Sequence, residues 1–198
     1  MPELPNPWLS TRTRDGETYD AVYEQRSAAG EDVHGEANFL GRYALRSVLD
    51  AGCGTGRVTR ELAARGLDVV GVDLDPVMLA TGMRKAPQVN WLVADLETVD
   101  LGRTFDAVLM AGNVMIFLTP GSEGRVLANL ARHLAPGGLV IAGSQIRPSR
   151  LTLRDYDALA TAAHLELVER FATWDADAWV DGGGYAVSVH RLVGVTAT

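Results

Sequence analysis

Ser47-Val48-Leu49-Asp50-Ala51-Gly52-Cys53-Gly54-Thr55-Gly56-Arg57-Val58 is the stretch from which the rest of this chain is best interpreted. It begins with a short apolar run that is typical of a buried strand, and it continues through an acid and three glycines at every second position. The amphipathic segment 57–65 then predicts a helix. A strand, a glycine turn and a helix N-terminus together favour a site for a nucleotide-like ligand, because glycine allows a tight turn and a close approach.

Strands and helices alternate after this stretch. The patterns predict five strands, at 48–50, 68–72, 89–93, 105–110 and 139–144. They also predict four helices, of which three lie at 55–65, 76–85 and 152–163. The remaining helix begins at 119 and is ended by residues 135–138. Two further strands at 165–174 and 185–193 have no helix between them, which favours an antiparallel hairpin. The alternation predicts an α/β fold of the doubly wound kind, with a mostly parallel sheet covered on both faces.

The first 46 residues precede this alternation. Residues 1–15 are predicted to be an irregular arm, and two helices follow, the first ending near Gly30 and the second at about 32–44. We therefore expect a single domain over 1–198, with an arm and helical cap at 1–46 and a ligand-binding core at 47–198.

Composition limits the function classes. The chain has 198 residues, 47% of them hydrophobic, and a net charge of -7, which disfavours a nucleic-acid partner. No apolar run is long enough to span a membrane, and the N-terminus lacks the features of a signal peptide, so we expect a cytoplasmic protein. Cys53 is the only cysteine, and we expect no metal site.

Short polar groups lie at or just after the ends of the first four predicted strands, and parallel strands bring their carboxyl ends to one edge of a sheet. They are Asp50, Asp73, Asp95 and the pair Gly112-Asn113. Asp73 lies at the distance from the glycine turn at which an acid accepts hydrogen bonds from ribose hydroxyls. Asp75, directly before Pro76, is the better candidate for a helix cap.

The glycine spacing separates two kinds of cofactor. Dinucleotide-binding turns use Gly-x-Gly-x-x-Gly, whereas this turn has glycines at 52, 54 and 56 directly after Asp50. A carboxylate beside the turn would repel a pyrophosphate and would suit a ligand that carries an ammonium group.

With these residues in view, the chain resembles the class I S-adenosylmethionine-dependent methyltransferases that act on small molecules. Five segments carry the resemblance in the family's order and spacing, at 48–57, 70–76, 94–96, 105–108 and 135–138. The resemblance implies a Rossmann-like sheet of seven strands whose antiparallel strand is inserted beside the fifth. It also implies S-adenosylmethionine as cofactor and a small-molecule acceptor that receives the methyl group by in-line displacement.

The same resemblance implies roles for individual residues. Asp50, Gly52, Gly54 and Gly56 would hold the methionine part of the cofactor, and Asp73 would bind the ribose. Leu74, Asp95 and Leu96 would surround the adenine, and residues 111–113, including Asn113, would border the sulfonium and the acceptor. Tyr19 and Tyr23 would close over the cofactor, although packing of an amphipathic helix explains them equally well.

For four other residues the sequence leaves two roles open. His34, the one histidine of the cap, is the candidate for a catalytic base, and a solvated helix residue is the alternative. Trp174 and Trp179 fit either a pocket wall or surface packing, and Cys53 fits packing better than nucleophilic chemistry. The sequence identifies neither the acceptor nor the oligomeric state. Two rival functions are a non-catalytic S-adenosylmethionine-binding protein and a nicotinamide-dependent oxidoreductase.

Overall fold

A seven-stranded sheet forms the centre of the protein, in the order β3-β2-β1-β4-β5-β7-β6. The computed structural model describes residues 6–13, 15–147 and 151–194. The strands are β1 (Ser47–Ala51), β2 (Asp68–Asp73), β3 (Asn90–Val93), β4 (Phe105–Met110), β5 (Leu134–Gln145), β6 (Leu165–Phe171) and β7 (Tyr185–Leu192). Only β7 runs against its neighbours, pairing antiparallel with both β5 and β6. The predicted doubly wound fold is therefore confirmed, including the antiparallel strand inserted beside the fifth.

Helices cover both faces of this sheet. They are α1 (Pro7–Thr11), α2 (Gly16–Ala28), α3 (Gly35–Leu40), α4 (Arg57–Ala64), α5 (Pro76–Lys85), α6 (Val114–Phe117), α7 (Glu123–Ala131) and α8 (Leu153–Ala162). In the part of the chain that the structure describes, no helix has the length and apolarity to cross a membrane.

The core lies in two groups of buried side chains, one on each face. Successive residues of β1 alternate between them, since Val48 packs with α3 and α4 whereas Leu49 packs with α7 and α8. β1 also marks the point where the strand order reverses, with β2 on one side and β4 on the other. The carboxyl ends of β1 and β4 are thus the expected place for a ligand.

Several predicted boundaries are wrong. α7 begins at Glu123 rather than near 119, and β6 ends at Phe171 rather than 174. Three others differ for local reasons. The arm is not irregular throughout, because the Asn6 side chain accepts a hydrogen bond from the Trp8 amide and starts the short helix α1. The second cap helix covers only α3, since the Asp32 side chain caps a turn before it and tight turns follow Gly41. β5 begins at Leu134 rather than 139, and its register against β4 shifts across 135–138.

Candidate functional site

A cavity opens at the carboxyl ends of β1, β2 and β4. The glycine turn at 52–55 forms its floor, residues following β2, β3 and β4 form its sides, and α1 and α2 cover it. Eight of the ten residues that the resemblance implied for the cofactor line this cavity: Tyr23, Asp50, Gly52, Gly54, Asp73, Leu74, Asp95 and Leu96. Gly56 and Asn113 do not line it.

The three glycines of the turn have different surroundings. A Cβ on Gly52 would lie 2.6 Å from Val114 Cγ2, and a Cβ on Gly56 would overlap the Trp91 indole. A Cβ on Gly54 would have only Met78 Cε within reach, at 4.0 Å. Gly54 is therefore the glycine whose lack of a side chain leaves space in the cavity, whereas Gly56 makes room for packing beneath the turn.

The Trp91 side chain explains that packing. Its indole lies against Gly56, Gly71 of β2 and Gly82 of α5, and its Nε1 donates a hydrogen bond of 2.9 Å to the Ala86 carbonyl. We call these three glycines the tryptophan socket. Sequence reasoning missed the socket, because its members lie on three separate elements.

Asp50 is a buried acid at the inner end of the cavity. It is 1% exposed, and its Oδ2 accepts a hydrogen bond of 2.6 Å from Thr59 Oγ1. Burial raises the pKa of this carboxyl to about 6, against the smaller lowering effects of the Thr59 hydrogen bond and the Arg57 charge. Within the described ranges no arginine, lysine or histidine forms an ion pair with Asp50. The carboxylate therefore lies beside the cavity without a cationic partner.

Asp73 closes the end of β2 and connects two backbone segments. Its Oδ2 accepts from the Gly54 amide at 2.7 Å, and its Oδ1 accepts from the Asp75 amide at 2.8 Å. Burial raises the pKa of Asp73 above its ordinary value, although these two backbone donors oppose the shift. Each carboxylate oxygen can still accept a further hydrogen bond from a ligand.

Asp75 has the predicted cap role and a second one. Its Oδ1 accepts from the Val77 amide at 2.9 Å, which caps α5 as expected. Its Oδ2 accepts from Trp8 Nε1 at 2.9 Å and lies 2.8 Å from Arg12 Nε. The buried carboxylate thus holds the N-terminal arm against the core, a contact that no sequence pattern indicated.

The third side of the cavity follows β3. Asp95 is exposed, and its Oδ1 accepts from the Glu97 amide at 2.8 Å, which orders the turn after the strand. Leu96 is buried in the core and presents part of its surface to the cavity. Together with Leu74 they form an apolar slot with one carboxylate at its edge.

Asn113 makes a backbone contact beside the cavity. It adopts a left-handed conformation with φ +67° at the start of α6, and its Oδ1 accepts from the Gln145 amide at 2.7 Å. The side chain therefore connects the ends of β4 and β5. Its neighbours Gly112 and Val114 line the cavity instead.

The cap contributes two tyrosines to the cavity wall. The hydroxyls of Tyr19 and Tyr23 are 3.4 Å apart, and burial raises the pKa of Tyr19 above its ordinary value. The Arg57 guanidinium lies 4.5 Å from the centre of the Tyr23 ring. It also forms two hydrogen bonds, of 2.5 and 3.0 Å, with Glu36 of the cap. Arg57, Trp8 and Phe117 are lining residues that sequence reasoning did not single out.

The structure places three other candidates away from the cavity. His34 does not line it, and its Nδ1 lies 3.5 Å from a carboxylate oxygen of Glu61. Trp174 packs edge-on against Phe39 and donates to the Tyr185 hydroxyl at 2.9 Å. Trp179 donates to Asp181 at 3.2 Å beside a shallow surface groove. His34 therefore has no contact with the cavity through which it could act as a base.

Cys53 completes the set of sequence candidates. Its side chain lies beneath the turn near Gly71, and burial raises the pKa of the thiol well above its ordinary value. A thiol that stays protonated is a poor nucleophile, so packing is the role that fits.

Comparison with known proteins identifies the relatives of this chain. The family model described as a methyltransferase domain matches residues 48–138. A dTDP-4-amino-2,3,4,6-tetradeoxy-D-glucose N,N-dimethyltransferase from Saccharopolyspora spinosa is 33% identical over 127 residues, which is 62% of this chain and 51% of that protein. A dTDP-3-amino-3,6-dideoxy-alpha-D-glucopyranose N,N-dimethyltransferase from Streptomyces fradiae is 32% identical over 89% of this chain and 69% of its own length. The chain thus spans about half of the length of the first of these two curated relatives and about two thirds of the length of the second.

A solved structure gives the fuller match. A TehB-like SAM-dependent methyltransferase from Corynebacterium glutamicum superposes with a TM-score of 0.81 and 35% identity. The superposition covers 88% of this chain and 96% of that one.

Proposed function

The chain belongs to the class I S-adenosylmethionine-dependent methyltransferases, and we propose that it transfers the methyl group of this cofactor to a small-molecule acceptor in the cavity described above. The whole protein would then have the activity of the family, and the residues that line the cavity would bind the cofactor and the acceptor. The observation that carries it is the buried Asp50 carboxylate, which has no ion-pair partner among the described residues.

Asp50 fits the amino-acid end of the cofactor. The carboxylate is buried at the inner end of the cavity, and no described cationic side chain pairs with it. A buried charge is costly unless it is paired, so a ligand ammonium group at this place would supply the missing counter-charge. A pyrophosphate would instead add a second negative charge, which argues against a nicotinamide dinucleotide.

The other end of the cavity fits a nucleoside. We assign Asp73 to the ribose hydroxyls, because its two oxygens are fixed by backbone amides and retain capacity to accept. Leu74 and Leu96 offer apolar surface for a purine, and Asp95 offers an acceptor for an amino group. Tyr23 and Gly54 would lie over and under the segment between these two ends.

When bound, the cofactor supplies an already activated methyl group, so the protein has to position the acceptor rather than activate the donor. Such positioning is worth roughly 7–11 kcal/mol of the barrier. The tyrosines of α2, with Trp8 and Phe117, cover the cavity and would exclude water from it. A tyrosine phenol is protonated at neutral pH, and burial raises the pKa of Tyr19 further, so this phenol serves as a donor rather than as a base.

These assignments restrict the acceptor. Among the described lining residues the carboxylates are Asp50, Asp73 and Asp95, and all three are assigned to the cofactor. With no further base at hand, we infer an acceptor whose lone pair is free near neutral pH, such as an uncharged amine or a carboxylate, rather than an alcohol. Amine acceptors agree with the names of the two sugar N,N-dimethyltransferases among the relatives.

Two measurements test the proposal. Calorimetry should show binding of S-adenosylmethionine and S-adenosylhomocysteine and no response to NAD. The protein should then form S-adenosylhomocysteine with at least one member of a panel of amines and carboxylates, amino sugars included. Binding without turnover across such a panel would favour a non-catalytic binding protein, and binding of NAD alone would end the proposal.

We also infer that nucleic acids are not the acceptor and that the protein works in the cytoplasm. The net charge of -7 supports the first inference, since a polyanion would be repelled. The chain has a single cysteine, and it is free within the described residues, which is compatible with a reducing compartment. Cell fractionation and a filter-binding assay with DNA and RNA would test the two inferences.

A further inference from the structure

Helix α2 is attached to the core in an unusual way. Its buried residues are Gly16 and Asp20, whereas Val22 on the same helix is 38% exposed. Little apolar surface therefore holds this helix, although it carries both tyrosines of the cavity wall. Something other than hydrophobic burial must fix its place.

Asp20 provides that attachment. The side chain is 2% exposed, and its Oδ1 accepts a hydrogen bond of 2.5 Å from Thr55 Oγ1. Its Oδ2 accepts from Arg60 at 2.8 Å and from Lys85 Nζ at 2.5 Å. Lys85 is the only lysine of the chain, and it also contacts Glu24 one turn further along α2.

The three partners of Asp20 lie on elements that border the cavity. Thr55 belongs to the glycine turn and lines the cavity, Arg60 lies on α4, and Lys85 ends α5. On α2, Asp20 follows Tyr19 directly and precedes Tyr23 by three residues, so one helical turn connects the buried carboxylate to both aromatic rings. A shift of this carboxylate would move both tyrosine rings relative to the glycine turn.

We propose that Asp20 is a positioning residue for the methyl-transfer reaction, fixing Tyr19 and Tyr23 over the cofactor through its contacts with Thr55, Arg60 and Lys85. The inference rests on the proposed function. The role falls to a buried charge and to the one lysine of the chain, neither of which lines the cavity.

Burial would by itself raise the pKa of Asp20, but the hydrogen bonds from Lys85 and Thr55 and the Arg60 charge outweigh it, and the net effect lowers the pKa. The carboxylate is therefore charged at neutral pH and depends on all three partners. Removing its charge takes the charged acceptor from Thr55, Arg60 and Lys85 at once and leaves Lys85 with Glu24 on α2, which loosens the helix more than the loss of an exposed ion pair would.

The experiment combines hydrogen exchange with cofactor binding. In Asp20→Asn, the backbone amides of 16–28 should exchange faster than in the wild type while those of β1 and β4 keep their protection. The affinity for S-adenosylhomocysteine, measured by calorimetry where both proteins are folded, should fall about tenfold. Lys85→Gln, whose side chain lies outside the cavity, should show the same two changes to a smaller extent, about threefold in affinity.

Glu17→Gln is the matched control, because Glu17 forms an exposed ion pair with Arg84 between the same two helices. It should leave the affinity within about twofold, as expected for a surface pair. Unchanged exchange in 16–28, or unchanged affinity in both Asp20→Asn and Lys85→Gln, would overturn the positioning role. A wild-type protein that failed to bind S-adenosylhomocysteine would instead refute the proposed function on which that role depends.

Discussion

The amide of Gly54 donates a hydrogen bond of 2.7 Å to Oδ2 of Asp73, so the middle of the glycine turn is fixed by the side chain that ends the neighbouring strand. The two features that the sequence singled out separately are thus parts of one arrangement. The residue assigned to the ribose also shapes the turn assigned to the methionine portion.

Replacement of Asp73 should therefore be severe for binding. Asp73→Ala should weaken S-adenosylhomocysteine binding about 100-fold or more, because two hydrogen bonds to a charged group contribute roughly 1.5–3 kcal/mol each. Calorimetry gives the affinity, and circular dichroism should show an unchanged fold. Asp68→Ala, which removes an exposed acid paired with Arg103 at the other end of β2, serves as control. Equal affinity in both variants would remove the ribose assignment.

The affinity for the cofactor should depend on pH through Asp50. Its pKa in the ligand-free protein is about 6, above that of an ordinary carboxyl, so the folded protein takes up a proton as the pH falls through this value. An ammonium ligand needs the charged carboxylate, and affinity should therefore rise with pH up to about 6 and then level off.

Calorimetry in two buffers of different ionisation enthalpy should also detect a proton released on binding below pH 6. The rise should disappear in Asp50→Asn, whose weak residual binding should be independent of pH in this range. A wild-type affinity that is flat between about pH 5 and about pH 7 would contradict the placement of an ammonium group beside Asp50.

Two glycines of the turn should respond differently to the same substitution. Gly54 and Gly56 both have positive φ, of +57° and +72°, so an alanine at either position costs about 1–2 kcal/mol of backbone strain. Gly56→Ala should add about 1–3 kcal/mol, because its methyl group overlaps Trp91. We expect a Tm about 5 °C lower for Gly56→Ala than for Gly54→Ala, by scanning calorimetry.

In binding, the order of the two variants should reverse. Gly54→Ala places a methyl group in the cavity and should reduce cofactor affinity more than Gly56→Ala does, at a temperature where both are folded. If Gly54→Ala were the less stable protein and bound normally, the division between a cavity glycine and a packing glycine would be wrong.

The N-terminal arm should affect binding with little effect on stability. α1 has no buried residues, and Trp8 reaches the core through its hydrogen bond to Asp75 and its edge-on contact with Phe117, 5.2 Å between ring centres. Trp8→Ala should lower the free energy of unfolding by no more than about 1 kcal/mol, because Asp75 loses one hydrogen bond but keeps the Val77 amide and Arg12. It should weaken S-adenosylhomocysteine binding roughly three- to tenfold, as the loss of an aromatic wall implies. Leu9→Ala, an exposed position on the same helix, should change neither quantity.

Local sequence patterns predicted the bounds of a helix or strand well where the signal lies within that element and its flanking residues. Strand β4 has the predicted bounds, and so has α5, because Asp75 and Pro76 mark its start unambiguously. The register shift in β5 escaped prediction, since 135–138 looks like a helix stop and its pairing with β4 depends on tertiary contacts.

The same limit applies to the cavity. Asp50, Asp73 and Asp95 line the cavity and were found because each lies at or just after the end of its own strand. The contacts between Asp20 and Lys85 and between Trp8 and Asp75 join residues that are 65 and 67 positions apart. Nothing in the local sequence marks such pairs. Asn113 illustrates a different limit. Its place after β4 matched the position that the family resemblance implied, but its side chain accepts a hydrogen bond from the Gln145 amide.

The tryptophan socket limits which substitutions the glycine turn can accept during evolution. Residues 56, 71, 82 and 91 share one volume, and a methyl group at any of the three glycines would lie within 3.0 Å of the indole or overlap it. Homologues with alanine at 56 or 71 should therefore carry a smaller residue where this chain has Trp91, with the two changes inherited together, whereas an alanine at 82 would also meet the Thr55 carbonyl oxygen at 2.9 Å. The third glycine of the motif is accordingly maintained by a side chain 35 residues away. An engineer who wishes to reshape the turn should redesign these four positions as a unit.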